Sequence, residues 1–386
     1  MTSEKPSNTV KLFRFSGTHE EMGHQQGRET ARVIKRARDL MAGSEELTLI
    51  KPSFIPFGLF VLLGEAKTSL QFGRHIKKYY PQQFKRMAGI ARGAGVRPGF
   101  IALLQSLEVE LNKVDFHMSA CSATGVCGKR SAGGEPVIIK NFDYPGHFTE
   151  QYVTRLDSPR GRYRVLSVSA APLAGNHDGI NEHGLAIAYN YGYGRDRPMH
   201  NVPITIVVQE ALETCRTTGE AVEFISRSRR RGGALLMVCD AGGDLRTMEV
   251  SNRQVGERMP DNGLLINTNH YLTKEMAAID IPKGAVFTNR NVKALRGIEV
   301  RLSSEARYDR AAELLEKHDA IGDETLMEAF RDHGPGGSPS DNTLCRHSDY
   351  FNTTCSVVFY PARRSMKVMY GNPCRTEYQE FSIKNE

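Results

Sequence analysis

The chain has 386 residues, 40% hydrophobic and 25% charged, with a net charge of +7. That balance suits a compact protein with one large core or two ordinary ones and excludes disordered and fibrous classes. Seven cysteines stand at 121, 127, 215, 239, 345, 355 and 374, an odd number with no CxxC pair and no Cys/His cluster at zinc spacing, so neither disulfides nor a structural metal is expected.

In chain order, Met1 to Asn8 is polar and lacks the pattern of a secretory signal, which predicts a cytoplasmic protein. "HEEMGHQQGRETARVIKRARDLM" follows Thr18, a helix-capping residue, and spaces Met22, Ala31, Ile34 and Leu40 along one face, which predicts an amphipathic helix. The most apolar run, Phe54 to Gly64, contains Pro56 and is too short to span a bilayer, so no membrane partner is expected; it can line a pocket or join the core. A second helical stretch starts near Ala66, is interrupted at Pro81 and ends at glycines of the C-cap kind. "GAGVRPG" follows no strand and so is not taken as a phosphate loop.

After residue 120 the texture changes. "PVIIKNFDY", "YRVLSVSA", "GLAIAYNYG", "ALLMVCDA", "LRTMEVSN" and "GLLINTNHY" read as strands, and "CSVVFYPARRSMKVMYG" as a hairpin turning at Pro361 to Arg364. Helices are predicted from Val202 to Cys215, after Thr217 with Glu220 as its capping partner, and over "SSEARYDRAAELLEK". Strands and helices that come in groups predict sheets layered with helices, an α+β fold, and not a βαβ array. Arg229 to Arg231, and Arg160, Arg162 and Arg164, occur without any nucleic-acid motif and read as solvated basic faces, so no nucleic-acid partner is expected.

"SACSATG" places Cys121 after two small residues. A catalytic thiol needs a base, and His117, four residues earlier on a chain entering a strand, would point away. If the bond between Ala120 and Cys121 were cut, the α-amine of Cys121, with an ordinary pKa of about 7.7–8.0, would serve as base on the same residue. Taken singly, Cys121 suits a packed core, Asp143 a turn, Asn190 and Asn269 strand ends, and Arg346 the surface.

Taken in order, "EEMGHQQG", "GIARGAGV", "ACSATGVCG", "IIKNFDY", "DGINEHGLAIAYNYG", "NTNHYL" and "SSEARYDRAAELL" resemble the penicillin acyltransferase-like, peptidase C45 group of N-terminal-nucleophile hydrolases. This group is related to the choloylglycine hydrolases, the acid ceramidases and β-alanyl-dopamine hydrolase. The resemblance implies a four-layer αββα sandwich matured by self-cleavage, with a helical segment 1–120 and a catalytic body 121–386. It implies Cys121 as nucleophile and base, Asp143 orienting the amine, Asn190 as oxyanion donor, and Asn269, with Asn267 as fallback, as a second polar group. The family's late arginine has no match at its counted place, near Tyr350, and Arg346 in "LCRHSDY" is taken instead. Cys127 is core filler first and site wall second. The expected activity is hydrolysis of a small N-acyl amide through a thioester on Cys121. Acyl transfer from a thioester to an amine is the alternative, and a non-cleaving binding module the third reading. The expected partners are a small acyl substrate and the two cut chains for each other, with no cofactor and a homodimer left open.

Overall fold

The computed structural model describes residues 9–111, 120–196, 199, 201–347 and 350–384. The expectations that fall on Met1 to Asn8, His117 and Ser119 lie outside them.

Two antiparallel-rich sheets stack face to face. The larger has eight strands, in spatial order Leu12–Gly17, Tyr152–Pro159, Val165–Ala170, Asp178–Asn181, Ala186–Tyr191, Ala234–Cys239, Leu245–Val250 and Val255–Arg258. The smaller has six: Leu264–Asn267, Ala120–Val126, Val137–Tyr144, Asn352–Tyr360, Ser365–Tyr370 and Gln379–Ser382. Adjacent residues of a strand point to opposite faces. Ile138 and Phe142 therefore pack between the sheets against Leu166, Ile180 and Met237, whereas Ile139 faces outward onto Leu315 and Leu326. The helices Leu302–Leu315 and Asp323–Ala329 cover that outer side. Ile204–Thr214 and the N-terminal helices cover the outer side of the larger sheet through Ile187, Tyr189, Leu236, Ile206 and Val207. The result is the αββα sandwich that the sequence implies.

The segment before residue 120 is not purely helical. Leu12–Gly17 joins the larger sheet as a parallel edge strand, paired residue for residue from Leu12 with Thr154 to Gly17 with Pro159. Thr18 then caps helix His19–Glu29 in a capping box with Glu21. The single helix expected from residue 19 is broken at Thr30 and resumes as Ala31–Gly43. Helix Pro81–Ala94 lies against His19–Glu29 with almost nothing between the backbones. A methyl group at Gly23 would stand 2.1 Å from the carbonyl oxygen of Arg86, and one at Gly93 2.2 Å from that of His24. Gly27 and Gly89 meet main-chain atoms as closely. Gly95, at φ 65°, takes the left-handed conformation that ends Pro81–Ala94, so "GAGVRPG" is a helix terminus.

One further expectation changes, and one falls to the second of its alternatives. Arg230 and Arg231 are buried, and Arg230 donates to the carbonyls of Ile225, Ser251 and Gln254, so this is a structural cap and not a solvated basic face. The apolar run near Phe57 forms helix Phe57–Thr68, which joins the core through Val61 with Phe57 and Phe60 packed beside it, leaves Leu59, Leu62 and Leu63 exposed, and lines neither of the two cavities near the site. Among the described residues no helix is long and apolar enough to cross a membrane.

Candidate active site

Cys121 is the second residue of strand Ala120–Val126 and is held on one side by its pairing with Phe142. On the other side the ladder to Leu264–Asn267 stops at Ala123 opposite Asn267. Two residues further along, a side chain takes over: the Cys121 N–H donates to Asn269 Oδ1 at 3.1 Å. Asn269 is itself fixed, its Nδ2 donating to the Tyr191 carbonyl at 2.8 Å and its N–H to Ser304 Oγ at 2.8 Å. Asn267, the fallback, is turned elsewhere, accepting from Thr247 Oγ1 at 3.0 Å and from Arg258.

Arg307 closes this corner. Its Nη1 donates to the Cys121 carbonyl at 2.6 Å and to Ser122 Oγ at 2.8 Å, and its Nη2 to Asn269 Oδ1 at 2.8 Å. It is buried, and that burial together with the nearby Arg346 brings its pKa down to about 10. Sequence reasoning missed it although its signal was present. Ser304, Arg307, Ala311 and Leu315 form the buried stripe of Leu302–Leu315, and an arginine on such a stripe must meet buried acceptors. Arg346, the arginine that was expected, is also present. It donates through Nε to the Asp341 carbonyl at 2.8 Å, and its Nη1 lies 3.4 Å from Asp143 Oδ2.

Asp143, across the ladder from Ala120, accepts from Thr353 Oγ1 at 2.7 Å. Burial pushes its carboxyl pKa up, and the charges of Arg346 and Arg307 work against that push. Alternation along the strands puts Asp143 and Ala120 on the face toward the helices, with Ser122, which Arg307 reaches. The Cys121 side chain then lies on the opposite face, toward the larger sheet, with Phe142 and Lys140. Burial raises the thiol pKa to about 11, and the leading opposing influence is the charge of Lys140. Lys140, also unforeseen, is buried with its Nζ 2.7 Å from Asp178 Oδ2 and 3.5 Å from the Phe142 ring centroid.

Asn190 does not offer a free amide. Its Nδ2 donates to the main-chain carbonyls of Asn267 at 3.2 Å and Thr268 at 3.1 Å, so it braces the turn that carries Asn269. Cys127 packs in the layer between the sheets, as core.

Two cavities lie nearby, of which only the larger is lined by residues of the corner. One of about 960 Å³ is lined by Ala120, Tyr193, Ser303, Arg307, Arg346 and Phe351. A smaller one, about 120 Å³, has Leu104, Val109, Leu173, Tyr144 and Tyr152 among its walls, with Glu108 bonded to Tyr144 and His177. The arrangement holds a main-chain nitrogen, a thiol and a carboxylate around one strand end, with arginines at the same carbonyl and carboxylate. That is the inventory for acyl chemistry on a covalent thioester. Elsewhere, His333, Cys345, His347 and Cys374 gather in space, so the absence of zinc-type spacing in the sequence does not carry over to three dimensions.

A family model described as acyl-coenzyme A:6-aminopenicillanic acid acyl-transferase matches residues 130–375, beginning downstream of Cys121. Among solved structures the chain is similar to a mutant conjugated bile acid hydrolase from Clostridium perfringens, at 13% identity over 68% of this chain and 93% of that one, with a TM-score of 0.43. It is similar to the N-acylethanolamine-hydrolyzing acid amidase ortholog of Caenorhabditis elegans, at 13% identity over 63% and 93% with a TM-score of 0.43. A third likeness is to penicillin V acylase from Agrobacterium tumefaciens, at 13% identity over 65% and 83% with a TM-score of 0.39. With the family match running over more than half of its length, the chain belongs to the acyl-coenzyme A:6-aminopenicillanic acid acyl-transferase family.

Proposed function

We propose that the chain cuts itself between Ala120 and Cys121 and then hydrolyses a small N-acyl amide through a thioester on Cys121. The observation that carries this reading is the corner in which Asn269 Oδ1 receives the Cys121 N–H while Arg307 holds both Asn269 and the Cys121 carbonyl. In the cut, Sγ bonds to the Ala120 carbonyl carbon, the Ala120–Cys121 C–N bond breaks, and the thiol proton passes to the nitrogen. Water then hydrolyses the thioester, leaving a carboxylate on Ala120 and a free thiol. The new α-amine stays on Asn269 and, near its ordinary pKa of about 7.7–8.0, takes the thiol proton for turnover. That supplies what the uncut residue lacks, since burial holds its thiol at about 11. Asp143 and Arg346 orient the amine from the helix-side face. The acyl group enters the smaller apolar cavity on the thiol's face, and the amine leaves through the larger one.

The test is the intact mass of the purified protein under denaturing conditions. Two chains that meet at Ala120 and Cys121 are expected, with an acyl adduct on the chain that starts at Cys121. A single uncut 43.0 kDa species with no turnover would refute the reading. Acyl transfer to an amine is the second reading, favoured by the acyl-transferase name of the matching family. An adduct that clears into water supports hydrolysis, and one that clears only when an amine is added supports transfer. Tight binding of such compounds without any adduct would point to a binding module.

A further inference from the structure

His333 lies just beyond helix Asp323–Ala329, Cys345 and His347 in the loop before strand Asn352–Tyr360, and Cys374 beyond strand Ser365–Tyr370. Scattered over some forty residues of sequence, the four side chains bring one donor atom each to a single place, all within 4.8 Å of one another. The two rings meet at their outer nitrogens, His333 Nε2 to His347 Nε2 at 3.1 Å, and Cys374 Sγ stands 3.4 Å from the same His347 nitrogen. His347 Nε2 thus faces two partners, and a ring nitrogen either donates one proton or accepts through one lone pair. Hydrogen bonding therefore satisfies only part of the cluster. A cation at its centre satisfies all four atoms at once. Bonds of about 2.0–2.1 Å to nitrogen and about 2.3 Å to sulfur, arranged tetrahedrally, imply nitrogen–nitrogen and nitrogen–sulfur edges of roughly 3.3–3.6 Å, near the two spacings at His347 Nε2, and the other edges stay within 4.8 Å.

We propose that these residues form a structural zinc site. Two thiolates and two imidazoles suit zinc, and they balance its charge without a carboxylate. Four protein donors close the coordination sphere, which fits a structural ion and leaves no position for substrate. The site has a defined task in the fold. Cys345 and His347 are the immediate neighbours of Arg346, the residue that faces Asp143. The same loop is tied at Cys345, whose N–H donates to the Asp332 carbonyl at 3.0 Å, and at Arg346, whose carbonyl accepts from Asn372 Nδ2 at 3.2 Å. Zinc would clamp the main chain on both sides of Arg346 to the end of one helix and the far side of the hairpin. The inference rests on these four side chains alone and stands whether or not the chain cuts itself.

The experiment uses the full chain, expressed with added zinc and purified without chelator. Elemental analysis should find about one zinc per chain. Exchange for cobalt should give the intense visible bands of a tetrahedral thiolate site. Cys345→Ser with Cys374→Ser should remove both signals, and His333→Gln should release zinc to a competing chelator at least about tenfold more readily, since even a residue that only supports a ligand costs that much when lost. Since a variant can lose metal by failing to fold, the wild type is the second arm. Chelation should lower its melting temperature, and zinc but not magnesium should restore it. Wild-type protein that stays below about a tenth of a zinc per chain in excess zinc, or that carries a Cys345–Cys374 disulfide when freshly prepared, would overturn the proposal.

Discussion

Arg307 shows how much of the site one buried side chain carries, since its two terminal nitrogens serve the Cys121 carbonyl, Ser122 Oγ and Asn269 Oδ1. A lysine keeps the charge but not the planar fork that reaches three acceptors. Arg307→Lys should therefore lower turnover and slow the cut while the fold persists, with a stability loss of about 1.5–3 kcal/mol by thermal unfolding. Turnover equal to wild type would remove Arg307 from the site. Next to it, His270 accepts from Ser304 Oγ at 2.8 Å or donates to it, and burial together with Arg301 and Arg307 brings its pKa down to about 3. Unfolded, the ring titrates near 6.5, so below that pH the unfolded chain binds a proton that the folded one refuses. The stability contributed by neutral His270 is complete above pH 6.5 and is lost as pH falls toward 3, on the order of a few kcal/mol. Denaturant titrations between pH 7 and 4 should show this slope, and His270→Gln should flatten it. Cys121, Asp143 and Asn269 were legible because a chain-long order of motifs pointed to them, and the structure brings them to one corner. Lys140 was passed over as one letter in an apolar strand, and Arg307 as one charge in a charged helix. Their meaning depends on which face is buried.

Between elements, the two sheets are joined by more than apolar packing. Lys140 on Val137–Tyr144 reaches Asp178 on Asp178–Asn181 of the other sheet, with both side chains fully buried. Removing one partner strands the other charge in the interior, which costs about 3–5 kcal/mol, whereas removing both can be nearly neutral. Lys140→Met should be markedly unstable, and adding Asp178→Asn should recover most of the loss; additive losses in unfolding experiments would contradict this coupling. The thiol would meanwhile lose the charge that most opposes the effect of its burial and titrate still higher. The same burial explains which strands were readable. Ala186–Tyr191 and Ala234–Cys239 are buried on both faces and so read as near-continuous apolar runs, interrupted only at Asn190. Tyr152–Pro159 does not, because it carries Arg155 and Asp157 in its interior. Asp157 is neutralised by Arg86, 71 residues earlier, at 2.7 Å, and no local pattern reports a partner that far away. Leu12–Gly17 was missed for a related reason: a short edge strand becomes a strand only by pairing with that same segment.

At the scale of the molecule, the proposed cut divides one folding unit and not two domains. The part before residue 112 gives the larger sheet an edge strand, adds Ile34, Ile90 and Ile101 to its main core, and sends Arg86 to Asp157. After cutting, the two chains should elute together from a sizing column in native buffer and separate only in denaturant; separation in native buffer would show that the peptide bond, and not the packing, holds them. The contact between His19–Glu29 and Pro81–Ala94 adds a one-way constraint. At Gly23, Gly27, Gly89 and Gly93 the space taken is already the least that any amino acid allows, so every replacement adds atoms and none subtracts them. Most packed positions have smaller and larger neighbours in sequence space, and drift can go either way. Here it can go only toward a wedge. A saturation library should therefore return glycine alone at these four sites while accepting alanine at Gly43 and Gly133, where an added carbon meets nothing within 4 Å. Evolution of this helix pair is thus boxed in from one side, and new adaptations in the N-terminal part must arise on its outer surfaces.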